Sequence, residues 1–120
     1  WLQFIINQLM TNSLKYTEPG GEIIISAVNT SNEKHLRIRD NGIGISQKDL
    51  PRIFNRGFTG ETGRTHAKST GMGLYLAQQL CNKLGHYIRC RSEVRKFTQF
   101  SIHFPLDSDH YLRLQKTHAE

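Results

Sequence analysis

The chain is 120 residues long, 37% hydrophobic, and carries a net charge of +6 at neutral pH. That length suits one domain burying roughly two thirds of the surface its unfolded form exposes, and leaves no room for a second. No apolar run approaches the ~18 residues that cross a bilayer and no basic-then-apolar leader opens the chain, which predicts a soluble module; Cys81 and Cys90 lack the spacing of a disulfide framework or a zinc site, which predicts a reducing compartment and two buried thiols.

In chain order, Trp1 to Tyr16 carry helical periodicity, with Leu2, Ile6, Leu9 and Met10 on or near one apolar face. A second face stacks Gln8, Asn12 and Lys15, because spacings of four and three residues fall on one side of a helix. No cap opens this helix, which predicts further chain upstream. Pro19-Gly20-Gly21 ends it, and two strands follow, Glu22 to Asn29 and Lys34 to Asp40, turning through Ser31-Asn32. Ser46 with Asp49 three residues on fits a capping box that opens a short helix to Ile53.

Residues 55–70 hold Gly57, Gly60 and Gly63 without periodicity, which predicts a long functional loop such as a lid. Leu74, Ala77, Leu80, Cys81 and Leu84 form a second helical stripe, ended by Gly85. His86 to Val94 and Phe97 to Phe104 read as a hairpin, with Phe100, Ile102 and Phe104 alternating toward a core. From Asp107 the chain is polar, so residues 1–106 are assigned to the domain and 107–120 to a tail. This order of helix, strands, helix and strands predicts an α+β sandwich.

Four short stretches stand out: Asn12-Ser13-Leu14-Lys15-Tyr16, Asp40-Asn41-Gly42-Ile43-Gly44, Phe54-Asn55-Arg56-Gly57 and Gly71-Met72-Gly73-Leu74. Each has an ordinary reading on its own. Asp40-Asn41-Gly42 reads as a hairpin turn, Asn12 as a surface or cap asparagine, Lys15 and Arg56 as solvated cations, and the glycine pair as a helix start. In this order, over residues 1–104, they resemble the N, G1, F and G2 boxes of the histidine kinase branch of the GHKL superfamily, the fold shared with gyrase, Hsp90 and MutL ATPases.

The resemblance implies a Bergerat fold, a two-layer α/β sandwich with a mixed sheet and helices on one face, that binds ATP and Mg²⁺. Asp40 takes the role of the adenine-binding carboxylate. An ionised carboxylate only accepts, so it suits the exocyclic amine of adenine and not the O6 of guanine. Gly42 and Gly44 let backbone approach the flat base. By the same resemblance Asn12 offers its amide oxygen to Mg²⁺, which needs few protein ligands, Lys15 meets the phosphates, and Tyr16 and Ile45 belong to the nucleotide site. Phe54 anchors the lid and Arg56 reaches phosphate. Thr70, Gly71, Met72, Gly73 and Leu74 form the last box, where unpaired N–H groups at a helix start attract phosphate. Neither a Walker A pattern nor GxGxxG occurs, which disfavours P-loop and dinucleotide folds.

Gln8 stands where ATP-hydrolysing relatives hold a glutamate that activates water. An amide takes no proton at ordinary pH, so the chain looks like a phosphoryl donor to another nucleophile, with no catalytic residue of its own beyond the ATP site. None of His35, His66, His86, His103, His110 and His118 is followed by Asp or Glu, as the family's acceptor histidine commonly is. The implied acceptor lies on the dimerisation domain of the same protein. Arg-Gly-Phe-Thr-Gly and Ser-Thr-Gly-Met-Gly-Leu-Tyr narrow the resemblance to intramembrane-sensing kinases that respond to cell-envelope antibiotics.

The expectation is therefore the cytoplasmic ATP-binding catalytic domain of a two-component sensor histidine kinase. Its parent would be a homodimer, anchored in the membrane through parts outside this chain and acting on a response regulator. One alternative is an anti-sigma-factor type serine kinase, which commonly keeps a carboxylate at the place of Gln8. Another is a non-catalytic nucleotide-sensing module, disfavoured by Asn12, Lys15 and Asp40 together. A nucleic-acid partner is not expected, because the basic residues are scattered and no nucleic-acid fold motif occurs.

Overall fold

The computed structural model describes residues 1–58 and 72–105. Helix α1 (Leu2–Tyr16) buries Ile5, Leu9 and Ser13 completely, a line of i, i+4 positions, with Ile6 and Met10 packed beside it. The inward face thus begins at Ile5; Leu2, expected on it, stays 39% exposed. Strands β1 (Ile23–Asn29) and β2 (Lys34–Asp40) are joined by a turn in which Thr30 Oγ1 accepts hydrogen bonds from the Asn32 and Glu33 amides.

Ser46 Oγ accepts from the Asp49 amide at 3.2 Å, so the expected cap forms, but it opens only a 3₁₀ turn, Leu50–Arg52. Pro51 has no N–H to extend that turn into an α-helix. Helix α2 (Gly73–Lys83) ends in a Schellman turn: Gly85 has φ +81°, its amide donates to the Asn82 carbonyl, and the His86 amide donates to the Cys81 carbonyl. Strands β3 (Tyr87–Glu93) and β4 (Phe97–His103) form the second hairpin.

The sheet runs β1-β2-β4-β3, and each neighbouring pair is antiparallel. This corrects the expected mixed sheet. The connection through α2 leaves β2 and β3 pointing the same way, but β4 inserts between them, so no parallel pair becomes adjacent. Register puts Ile38, Phe100 and Cys90 in one cross-strand row and Leu36, Ile102 and Ile88 in another. These rows face the helices, with α1 over β2 and α2 over β3. Ile5, Leu9, Ile38, Ile53, Ala77, Cys81, Ile88, Phe100 and Ile102 form the core. Each large side chain buried there contributes about 1.5–3 kcal/mol.

Cys81 is buried as expected, whereas Cys90, on the outer strand of the hairpin, is only half-buried. Burial first, and then the charge of Asp40, pushes the Cys90 thiol up to about 12, and burial raises Cys81 as well. Both are unreactive at neutral pH.

Candidate functional site

The site is assembled where the end of α1, the end of β2 and the β3–β4 turn meet. The Ile43 amide donates to the Tyr16 carbonyl at 3.2 Å, and the Arg95 amide donates to the Ile43 carbonyl at 2.7 Å. Asn41 closes the entry to the loop, because its Oδ1 accepts from the Glu22 amide at 2.8 Å. Ser92 closes the exit: its hydroxyl accepts from the Ile45 amide and donates to the Phe97 carbonyl, both at 2.7 Å. Residues 41–45 are thereby pinned to three elements.

Within this frame Asp40 is 3% exposed, and its Oδ1 accepts from the Gly42 amide at 2.9 Å. Burial raises its pKa above the ordinary 3.8, opposed first by the Gly42 N–H and then by the hydroxyl of Ser13. Ser13 is fully buried; its hydroxyl lowers the Asp40 carboxyl without forming an aligned hydrogen bond. Sequence reasoning overlooked Ser13 and Ser92. The signal for Ser13 was its spacing of four from Leu9; Ser92 had none before the hairpin was placed.

The two glycines have reasons of their own. A Cβ at Gly42 would overlap the Tyr16 carbonyl oxygen, and one at Gly44, where φ is +75°, would overlap the Glu93 carbonyl oxygen. Backbone cannot yield as a flexible side chain does. Gly44→Ala is therefore expected to cost about 3 kcal/mol, from left-handed strain plus overpacking. The midpoint of urea unfolding checks this, and an unshifted midpoint would show that the loop is free to move.

Gln8, Asn12, Lys15 and Tyr16 are all half-buried on α1. Gln8 faces the start of α2, with its Oε1 2.5 Å from where a Cβ on Gly73 would stand. Lys15 Nζ lies 5.7 Å from the centre of the Tyr16 ring. Helix α2 has neither a side-chain cap nor an acidic residue in its first turn, so its leading N–H groups keep their positive end. Met72 precedes it, and Leu74 packs on the core. Ile45 also packs on the core, and Phe54 meets Phe100 edge to face at 6.3 Å. Arg56 is exposed two residues beyond Phe54, apart from this cluster. Thr70, Gly71 and the glycine-rich part of the expected lid lie outside the described residues, as does the tail from Asp107.

A buried, acceptor-only carboxylate, a stacked amide and ammonium, and an uncapped helix start are thus brought to one side of the sheet. The description "Histidine kinase-, DNA gyrase B-, and HSP90-like ATPase" belongs to a family whose model matches residues 1–108. The chain is 42% identical over 116 residues to the sensor histidine kinase GraS of Staphylococcus epidermidis, an alignment that covers 97% of this chain and 33% of that protein. It is 44% identical over 106 residues to the sensor protein BceS of Bacillus subtilis, covering 88% of this chain and 31% of that one. The chain thus spans about a third of the length of these relatives. Among solved structures, the mycobacterial sensor histidine kinase MprB superposes with a TM-score of 0.70 at 22% identity, covering 86% of this chain and 70% of that one. The catalytic domain of histidine kinase ThkA gives 0.72 at 20%, covering 87% and 66%. At such identities these two likenesses show the fold.

Proposed function

This chain belongs to the histidine kinase-, DNA gyrase B- and HSP90-like ATPase family, and from that premise we propose that it is the ATP-binding catalytic domain of a sensor histidine kinase of the antibiotic-responding group. The observation that carries the reading is Asp40, a carboxylate kept 3% exposed at the end of β2 beside the helix that bears Asn12 and Lys15. Burying a carboxylate is costly unless a donor meets it. The exocyclic amine of adenine is such a donor, and Asp40 accepts from it while the Gly42 N–H holds the other side in place.

Lys15 and the leading N–H groups of α2 then hold the phosphates. The half-buried amide of Asn12 fits Mg²⁺, a hard cation that takes oxygen donors and few protein ligands. When bound, that ion neutralises charge on the transferring phosphoryl group. Gln8 leaves water unactivated, so the γ-phosphate is kept for a histidine on the dimerisation domain of the parent protein, from which a response regulator draws it. The parent is a homodimer whose membrane anchor lies outside this chain; no described helix is long and apolar enough to cross a bilayer.

Calorimetric titration with ATP tests the reading, and magnesium sharpens it. Mg²⁺ is expected to tighten ATP binding in the native chain, and Asn12→Ala is expected to remove roughly tenfold of that gain, the scale of one interaction of about 1.4 kcal/mol. An unchanged magnesium dependence in the variant removes Asn12 as the ligand.

A further inference from the structure

The sheet face turned away from the helices holds a second cluster of chemically active side chains, none of it from the four boxes. His35 on β2 and His103 on β4 are register partners, with ring centres 4.7 Å apart. Glu33, two residues before His35, brings its Oε1 to 2.8 Å from His35 Nδ1. The ligating atoms of the three lie within 4.8 Å of one another. His35 is 4% exposed although it lies on the outer face, and its Nδ1 is buried without an aligned hydrogen bond. Buried polar atoms without partners are rare and call for one.

The surroundings fit a ligand set. Tyr87 stacks on the His103 ring at 4.8 Å and 2°, and Ser101 Oγ lies 2.8 Å from His103 Nε2, so the ring is held from two sides as ligating imidazoles usually are. Burial, then His35, Arg89 and Arg37, keep His103 below its usual range against the pull of Glu33, leaving a neutral imidazole at physiological pH. Two imidazoles and a carboxylate are the donors of a zinc-class ion with an open fourth position; Mg²⁺ or Ca²⁺ would take oxygens. One group opposes the ion. Arg37 donates from Nε to His35 Nε2 at 2.8 Å, which leaves the ring proton on Nδ1, where an ion would bind.

We propose that Glu33, His35 and His103 form a transition-metal site of the zinc class, gated by Arg37. Binding moves the His35 ring proton from Nδ1 to Nε2 and turns the guanidinium out toward solvent, so no net proton is released. The occupied site ties the β1–β2 hairpin to β4 on the face opposite Asp40.

The test titrates the chain with cobalt(II) and zinc(II) at pH 7.5, reading the visible absorption of four-coordinate cobalt and the melting temperature. One ion is expected to bind and raise the melting temperature. Glu33→Gln, a change on the exposed turn that leaves the fold intact, and His103→Ala should each weaken binding tenfold or more. Arg37→Met should tighten it several-fold, which a merely structural histidine pair would not show. A cobalt spectrum absent at millimolar metal overturns the site, and so does binding unchanged by Glu33→Gln and His103→Ala, which puts the ion on other histidines. Unchanged or weaker binding in Arg37→Met overturns the gate.

Discussion

Asp40→Ala is expected to weaken ATP binding by roughly 10- to 100-fold and to erase the preference for ATP over GTP. The loss corresponds to one hydrogen bond to a charged acceptor, about 1.5–3 kcal/mol. GTP presents an acceptor at position 6, so the native carboxylate repels it and the alanine does not. Asp40→Asn separates this effect from stability. Burial raises the folded-state pKa of Asp40 above its ordinary value of 3.8, so the fold favours the protonated form. Its stabilising share is full below 3.8 and is lost as pH rises through the folded value. The nucleotide-free Asn variant, which has no charge to bury, should therefore melt higher than the native chain at pH 7, with the gap closing toward pH 3.8. Calorimetry with both nucleotides, and melting at the two pH values, check the pair of effects. Equal ATP and GTP affinities in the native chain, or an Asp40→Ala variant that folds and keeps the preference, would sink the adenine assignment.

The same residue shows how far sequence alone reached. Its place at the end of β2 was legible because Lys34 to Asp40 alternate between the two faces of the sheet, and period two leaves only one way to bury Leu36 and Ile38. Gly85 was legible because a helix end needs positive φ there. The features that could not be read depended on neighbours distant in the chain. Gly42 and Gly44 were assigned to the approach of a base, yet their own chain already forbids a side chain, through Tyr16 and Glu93. Sheet direction depends on where β4 inserts, which no local pattern specifies. His35 falls on the polar face of its strand and is buried only because His103 pairs with it across the sheet. Ser92 reads as one more exposed strand position until its hydroxyl is found holding Ile45.

Incubated with radiolabelled ATP, the isolated chain is expected to bind nucleotide, to release phosphate no faster than the background rate, and to carry no label on itself. Two features make the outcome nearly all-or-none. The first is Gln8, whose amide lies at the start of α2, where relatives that hydrolyse ATP hold a carboxylate; it accepts no proton from water. The second is the placement of the histidines that the structure describes. His35 and His103 lie on the outer face of the sheet, opposite Asp40, and His35 is 4% exposed, so neither reaches a phosphate held beside α2. Supplying the dimerisation domain of the parent should turn a silent chain into a donor, with label appearing on that domain's histidine. Gln8→Glu adds a base, and hydrolysis should rise, but by less than about tenfold against the 10²–10⁴ of a fully positioned one, because a carboxylate beside the positive end of α2 is a weakened base and no further residue orients the water. Stable self-labelling of the native chain, or turnover as brisk as that of a self-contained ATPase, would refute the donor reading and return Gln8 to the status of an ordinary helix amide.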